Sequence, residues 1–326
     1  MREIFKYRGR DYPVRRRMMI NGRCYLLLER LSGGDREKFH AVCPEAGPGA
    51  FRLVHVLART RSAIQLLSVM KRTELGKYNF PEIIEWHEQA DRVILVTSWI
   101  WGESLLNRLV RARARPKLWP HPWVAFRLFR GLAHSLHYLN NRLNIVHGDL
   151  HPGNLMLVRD SNRLIVTDFG SSWIVEGASR RLAGDGRVDG FASPEQHLGL
   201  RQVDFRSDLF SASAIAYLLI TGQLPYAQLG GKAGAPHLRE VFATRWANPS
   251  GLCARPDQVP RDIWKLIDSA LHRGLNLDPL RRFSSTHVWL DELNEIDARF
   301  RIRPPMGLVS RMFLKLIQLW SGSHRD

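Results

Sequence analysis

The chain has few cysteines and no long apolar run. Its 326 residues include three cysteines that are far apart and form no CxxC pair, Cys24, Cys43 and Cys253. This scatter argues against a disulfide framework or a structural zinc site, and it favours a reducing compartment such as the cytoplasm. No run of eighteen or more apolar residues is present, so we expect no membrane span. Residues 1–17 are charged throughout, so we also expect no secretory signal.

Acidic residues are scarce relative to basic ones. The chain has 48 Lys and Arg against 31 Asp and Glu, a formal net charge of +17. The basic residues cluster in three separate places, 15–17, 111–117 and 301–315, with no basic stripe interleaved with aromatic residues. We therefore expect no dedicated nucleic-acid module, but a solvated basic surface or one that faces an acidic protein segment. The hydrophobic content of 44% predicts a globular core.

The stretch from residue 147 to residue 170 carries the chemistry. It reads HGDLHPGNLMLVRDSNRLIVTDFG, in which Asn154 and Asp168 follow Asp149 by five and nineteen residues. Two β-prone runs, Leu155 to Val158 and Leu164 to Thr167, lie between Asn154 and Asp168. This layout predicts two carboxylates and an amide around one small volume. Transfer of a phosphoryl group from ATP needs such a set, because oxygen ligands hold Mg²⁺ and a carboxylate orients the attacking hydroxyl.

These residues resemble the catalytic and metal-binding loops of the protein-kinase superfamily. His147-Gly148-Asp149 and Asn154 follow its H-R-D-x-x-x-x-N pattern with Gly in place of Arg, and Asp168-Phe169-Gly170 is its D-F-G. The resemblance implies an α+β, bilobal fold with a small antiparallel sheet lobe, one main helix, and a larger, mostly helical lobe. It also implies ATP and Mg²⁺ as cofactors, Asp149 as the catalytic base, and Asn154 and Asp168 as metal ligands. His147, Phe169 and Gly170 would then be structural.

The resemblance continues towards the C-terminus. Residues 191–195 (FASPE) look like the segment that closes a kinase activation loop, and residues 277–283 (LDPLRRF) look like a late kinase segment. In the family these two segments are joined by an ion pair, which here would be Glu195 with Arg282. Asp208 matches the acid at the start of a central buried helix, and it would bind the backbone of the catalytic loop.

The nucleotide side of the site departs from the family pattern. Aligned with the Gly-rich hairpin, residues 32–39 keep one family glycine, Gly34, and place Glu37 at the third. On the next strand, His55 stands where the family has its phosphate-contacting Lys. The following helix has no acid between Arg61 and Thr73, so we expect Gln65 to hydrogen-bond His55 in place of the usual Lys–Glu pair.

The adenine end is located by residues 102–105 (GESL), which look like the family's G-x-S-L. Counting back places Thr97 at the gatekeeper position and Ser98 to Ile100 at the segment that bonds adenine through its backbone. Leu53 stands at the small position above adenine. The candidate ATP-binding residues are therefore Gly34, His55, Thr97, Ser98, Ile100 and Glu103.

Hydrophobic periodicity divides the chain into four parts: a basic N-terminal extension (1–22), a small lobe (23–100), a helical lobe (101–298) and a basic amphipathic tail (299–326). Strands are predicted over 23–31, 38–42, 51–57, 83–86 and 93–100, with a helix over 62–73 capped by Ser62. Helices are predicted over 123–141, 207–221, 262–271 and 284–296. Residues 307–320 form an apolar stretch with basic residues on one face, which suits packing on the protein or contact with an anionic membrane surface.

Three functions remain open. The first is an active phosphotransferase directed at Ser or Thr of a protein. The second is a pseudokinase scaffold with weak or no ATP binding, which the poor glycine hairpin and His55 favour. The third is a small-molecule kinase, because HGDLHPGN, with His151 after the catalytic Asp, is closer to such relatives. Gly148 replaces the Arg that binds an activation-loop phosphate, so we expect no switching by phosphorylation of that loop.

Overall fold

The computed structural model describes residues 3–32, 37–47, 49–159, 161, 163–175, 188–199, 203–243 and 247–302. Gly34 and the apolar tail segment 307–320 lie outside these residues. Within the described ranges no helix is long and apolar enough to cross a membrane.

The small lobe is built on an antiparallel sheet of six strands in the order β3-β4-β5-β6-β8-β7. A hairpin of two further strands precedes it. The strands of this lobe are β1 Ile4–Tyr7, β2 Arg10–Pro13, β3 Arg16–Ile20, β4 Arg23–Ser32, β5 Lys38–Val42, β6 Phe51–Ala58, β7 Ile83–Glu88 and β8 Arg92–Ser98. Strand β8 is buried at five of its seven residues, and β6 at four of its eight.

The N-terminal residues add structure that the sequence analysis did not assign. Strand β3 pairs with β4 and extends the sheet by one strand. The β1–β2 hairpin packs three aromatic side chains, Phe5, Tyr7 and Tyr12, around Phe51 of β6. The hairpin thereby covers apolar surface at one end of the sheet.

One helix, α1 (Arg61–Lys71), follows β6. It begins where the Thr60 hydroxyl accepts a hydrogen bond from the backbone N–H of Ala63. Ser62 had been predicted as this cap, and that prediction is wrong by two residues because Thr60 has the extended backbone that an N-cap requires. Leu66, Leu67 and Met70 form the buried face of the helix.

The large lobe is mainly helical and holds most of the core. Its helices are α2 Leu105–Ala114, α3 Pro122–Leu143, α4 Pro194–His197, α5 Phe205–Thr221, α6 Pro236–Ala243, α7 Pro249–Leu252, α8 Arg261–Gly274 and α9 Thr286–Ile302. Its short strands are β9 Gly102–Ser104, β10 Ile145–Val146, β11 Leu155–Val158, β12 Leu164–Val166 and β13 Trp173–Ile174. Every residue of α5 from 207 to 220 is buried, since α3, α8 and α7 pack around it. The predicted α+β, two-lobed architecture is confirmed.

A buried ion pair joins Glu195 of α4 to Arg282 in the segment before α9. Arg282 donates hydrogen bonds of 2.7 and 2.9 Å to the two carboxylate oxygens of Glu195, and its side chain is fully buried. It also donates to the carbonyls of Arg206 and Asn276, so its N–H groups have partners inside the protein. Burial alone would raise the pKa of Glu195, but the charge and hydrogen bonds of Arg282 lower it below its usual value. The predicted pair between the two segments is present.

Replacing Arg282 by Met should cost about 3–5 kcal/mol of unfolding free energy, because Glu195 would then be a buried charge without its partner. Urea unfolding followed by circular dichroism measures this loss. The double variant Arg282→Met/Glu195→Gln should lose less than the two single variants together. Arg281→Met is the matched control, since the Arg281 side chain is 76% exposed and should leave the midpoint unchanged. Equal midpoints for the two Arg variants would contradict the assignment.

Candidate active site

The catalytic loop, which begins with His147, Gly148 and Asp149, is bound through its backbone by Asp208 in the first turn of α5. The backbone N–H groups of His147 and Gly148 donate to its two carboxylate oxygens at 2.7 and 2.8 Å. Asp208 is almost completely buried, and burial raises its pKa to about 7 against the opposing effect of these two N–H donors. The sequence predicted this contact, and it fixes the loop to the most deeply buried helix.

His147 connects the two halves of the motif. Its ring Nε2 lies 3.0 Å from the carbonyl oxygen of Thr167, and its Nδ1 lies 3.4 Å from the backbone nitrogen of Asp149. Because a carbonyl only accepts, Nε2 carries the proton and Nδ1 accepts the N–H of Asp149. The fully buried ring thus ties the residue before Asp168 to Asp149.

Asn154 contacts Asp149 through its side chain and Thr167 through its backbone. Its side-chain NH₂ donates to the backbone carbonyl of Asp149 at 2.9 Å and contacts the Asp149 Oδ2 at 3.5 Å. Its own backbone carbonyl accepts from the N–H and the hydroxyl of Thr167, at 2.9 and 3.0 Å. Because the NH₂ group faces Asp149, the amide oxygen is the atom of Asn154 that can ligate a metal ion.

Asp168 stands two residues after the end of β12 in an uncommon backbone conformation, with φ of 64°. Its Oδ1 accepts the N–H of Gly170 at 3.2 Å, which begins the helical turn Phe169–Ser171. The ring of Phe169 packs against those of Phe80 and His147. A non-glycine residue with positive φ persists where the surroundings hold it, and such residues cluster at functional sites.

The structure adds Lys38, a residue that the sequence analysis missed. Its Nζ lies 2.6 Å from the Asp168 Oδ2, and both side chains are mostly buried. Burial alone would raise the pKa of Asp168, but the charge and hydrogen bond of Lys38 outweigh it and lower the pKa to about 2. Asp168 is therefore a carboxylate at any physiological pH.

Lys38 on β5 lies directly opposite His55 on β6, whereas the alignment had placed Glu37 at the hairpin position nearest the phosphates. Glu37 instead pairs with Arg30 at 2.7 Å. The signal that could have revealed Lys38 is the strand register counted from His55.

Gln65 does not take the place of the missing acid. The structure leaves Gln65 exposed on α1, so the expected hydrogen bond with His55 is wrong. His55 is 4% exposed and lies close enough to Asp168 to contribute to the lowering of its pKa.

At the adenine end, three residues form a row across the sheet. His40 of β5 is opposite Leu53, and Leu53 is opposite Thr97 of β8. The His40 ring stacks on Trp99 of the connecting segment at a centroid distance of 3.9 Å. Thr97 is buried, and Ser98 and Ile100 are partly buried. Glu103 of β9 forms ion pairs with Arg111 and Arg108 of α2.

The donor set suits Mg²⁺ bound together with a polyphosphate. Across the described ranges no three His, Cys, Asp or Glu side chains converge as a metal cluster. Mg²⁺ is usually held by one or two protein oxygens, with phosphates and water completing its octahedron. Asn154 and Asp168 would supply those oxygens, and Lys38 places a positive charge beside Asp168.

A model of the protein kinase domain matches residues 57–292 of the chain. The chain is 31% identical over 170 residues to serine/threonine-protein kinase PksC of Streptomyces coelicolor, covering 51% of this chain and 28% of that relative. It is 33% identical over 224 residues to serine/threonine-protein kinase pkn2 of Myxococcus xanthus, covering 64% of this chain and 25% of that relative. The chain thus spans little more than a quarter of these relatives.

A solved structure gives the same fold. The Cydia pomonella Granulovirus kinase PK-1 aligns with a TM-score of 0.62 at 18% identity, covering 82% of this chain and 92% of that one. At this level of identity the likeness concerns the fold alone.

Gly148 has a backbone that a side chain would strain. Its φ is +76°, and a Cβ atom there would lie 2.2 Å from Trp173 Cζ3 and 3.2 Å from the carbonyl oxygen of Ser171. Glycine at this position therefore allows the close approach of β13 to the catalytic loop.

Gly148→Ala should destabilise the protein by at least about 2 kcal/mol, from the strained φ together with the displacement of Trp173. Thermal unfolding monitored by tryptophan fluorescence would measure it. Gly131→Ala is the matched control, because Gly131 is in the middle of α3 with nothing within 4 Å of its Cβ position. That control should stabilise by about 0.5–1 kcal/mol. Equal effects of the two variants would contradict the role of Gly148.

Proposed function

Because this chain belongs to the protein kinase family, we propose that it transfers the terminal phosphoryl group of ATP to Ser or Thr hydroxyls of a protein. The observation that carries the proposal is the network around the catalytic loop. Asp208, His147 and Thr167 hold Asp149, Asn154 and Asp168 together through backbone hydrogen bonds.

Each residue of the network has a role that follows from its contacts. Asp149 accepts the proton of the substrate hydroxyl at its carboxylate and orients that hydroxyl. The amide of Asn154 donates to Asp149, so it positions the base and presents its oxygen to a metal ion. Asp168 is ionised and is the second metal ligand. Mg²⁺ with ATP would supply the phosphoryl group and neutralise the charge on its oxygens.

The nucleotide base would lie between the sheet and the segment that follows β8. Thr97 would line the pocket, and the backbone of Ser98 and Ile100 would bond adenine. Glu103 forms ion pairs with two arginines of α2, Arg108 and Arg111, and would contact the ribose. Gly34 remains a candidate for the phosphates, and His55 for a neutral contact near them.

Charge and composition indicate the kind of protein substrate and the cellular compartment. A net charge of +17 favours a protein substrate or partner with acidic segments. The scattered cysteines favour the cytoplasm, and residues 307–320 are the candidate for peripheral contact with an anionic membrane. Gly148 at the family's Arg position leaves the site without the phosphate receptor of the activation loop, so we propose that phosphorylation of that loop does not switch this enzyme.

A second candidate function is a scaffold that binds nucleotide weakly. The specific observation in its favour is the stack of His40 on Trp99, which puts two aromatic rings at the adenine end of the cleft. Burial lowers the pKa of His40, so the ring is neutral and apolar contacts hold the stack. The third reading, a small-molecule kinase, has support only from the sequence HGDLHPGN.

Asp149→Ala should reduce phosphorylation of a basic test protein and of an acidic one by at least about 100-fold, because it removes the proton acceptor. Transfer of ³²P from ATP to the substrate would measure it. Asp91→Ala removes an exposed acid of the small lobe and should leave the rate unchanged. Unchanged transfer with Asp149→Ala would end the assignment of the base.

A thermal-shift titration with Mg·ATP separates the active enzyme from the scaffold. At about 100 times the Kd the ligand should stabilise the wild-type protein by about 2.7 kcal/mol. Asp168→Ala should abolish the magnesium-dependent part of the shift, since it removes a metal ligand. No shift of the wild-type protein at millimolar Mg·ATP would favour the scaffold.

A further inference from the structure

We propose that Lys38 is the cation that binds the phosphates of the nucleotide, supplied by strand β5 in place of the lysine that β6 lacks. The inference deepens the proposed function and rests on it. In the family pattern this lysine is on the third strand of the sheet, where this chain has His55. The structure offers a substitute one strand away.

Strand geometry puts Lys38 in the right place. Lys38 and His55 are directly opposite each other on antiparallel neighbours, and such residues project from the same face of a sheet. A lysine on β5 at this register therefore enters the same space as a lysine at position 55 would. The contact of the Lys38 Nζ with Asp168 at 2.6 Å shows that its side chain reaches the metal-binding carboxylate.

Other basic groups nearby do not compete for this role. Strands β5 and β6 contain one further Lys or Arg, Arg52, which is opposite Ala41 and alternates to the other face of the sheet. His151 follows the catalytic Asp149 and lies near Lys38, but burial lowers its pKa, so its ring is neutral. Among the described residues of these two strands, Lys38 is thus the one Lys or Arg on the cleft face.

Lys38 differs from the lysine of the family pattern in its ion-pair partner as well as in its position. Helix α1 has no acidic residue between Arg61 and Lys71, so it offers no carboxylate to a cation in the cleft. Lys38 instead pairs with Asp168, where the pair is 23% and 17% exposed. A lysine placed by the sheet and by Asp168 needs no acid on α1. The position of the lysine on β5 therefore accounts for the absence of an acidic partner on α1.

Lys38→Met tests the inference by two readouts, binding of Mg·ADP by calorimetry and phosphoryl transfer. Binding should weaken roughly 10- to 100-fold, because charge-assisted hydrogen bonds to the phosphates are lost. Transfer should fall at least about 100-fold. The double variant Lys38→Met/His55→Lys returns a lysine to the facing position and should recover part of both. Lys77→Met, which changes an exposed surface lysine, should alter neither.

A labelling experiment keeps the test valid if Lys38→Met fails to fold. In a mixed anhydride of a carboxylic acid with the terminal phosphate of ADP, an amine near the phosphates attacks the carbonyl carbon. The bond from that carbon to the phosphate oxygen breaks, an amide forms, and ADP leaves. Peptide mass spectrometry of the wild-type protein should find the acyl group on Lys38, with protection by excess Mg·ADP. Protected labelling of another lysine, and none at Lys38, would overturn the inference.

The outcomes separate the two proposals. Wild-type binding and transfer that Lys38→Met leaves unchanged would overturn the role of Lys38 and leave the proposed function standing. Faster transfer by Lys38→Met would mean that the ion pair with Asp168 inhibits the enzyme. This result would also overturn the proposed role of Lys38. A wild-type protein with neither binding nor transfer would overturn the proposed function and this inference with it.

Discussion

The active site depends on one buried carboxylate. Asp208 belongs to α5, the helix with the most complete burial, and its two oxygens take the N–H groups of two consecutive loop residues. A loop with its backbone groups bound in this way cannot turn without leaving buried donors unsatisfied. His147 and Asn154 in turn form hydrogen bonds with Thr167, and these bonds fix the position of the next residue, Asp168. The positions of both carboxylates therefore follow from the packing of a buried helix.

The parts of the site that the sequence predicted are those set by local spacing. Asp149 and Asn154 precede β11 and Asp168 follows β12, its antiparallel partner, so their separation along the chain already fixes their neighbourhood. The pair of Glu195 with Arg282 was predicted by resemblance, although 87 residues separate its members. None of these predictions depends on how the strands of the six-stranded sheet are paired.

Register is what the sequence could not supply. The regular β5–β6 pairing puts Lys38 opposite His55, and a shift of one position would turn its side chain to the opposite face. Gln65 was misjudged for a related reason, since its position around α1 depends on where the helix begins, and the cap is Thr60. The hairpin of residues 4–13 was missed because its strands are short and charged. Its stabilising contacts are with Phe51, far along the chain.

The contact between Lys38 and Asp168 joins a strand of the small lobe to the large lobe across the cleft. Nucleotide without metal would bring negative phosphates up to an ionised Asp168, and metal without nucleotide would bring a dication up to the ammonium of Lys38. Each arriving alone meets a like charge, whereas the two together give each protein group an opposite one. We expect this geometry to make the affinities for metal and nucleotide mutually dependent, a positive linkage built from a single pair of side chains.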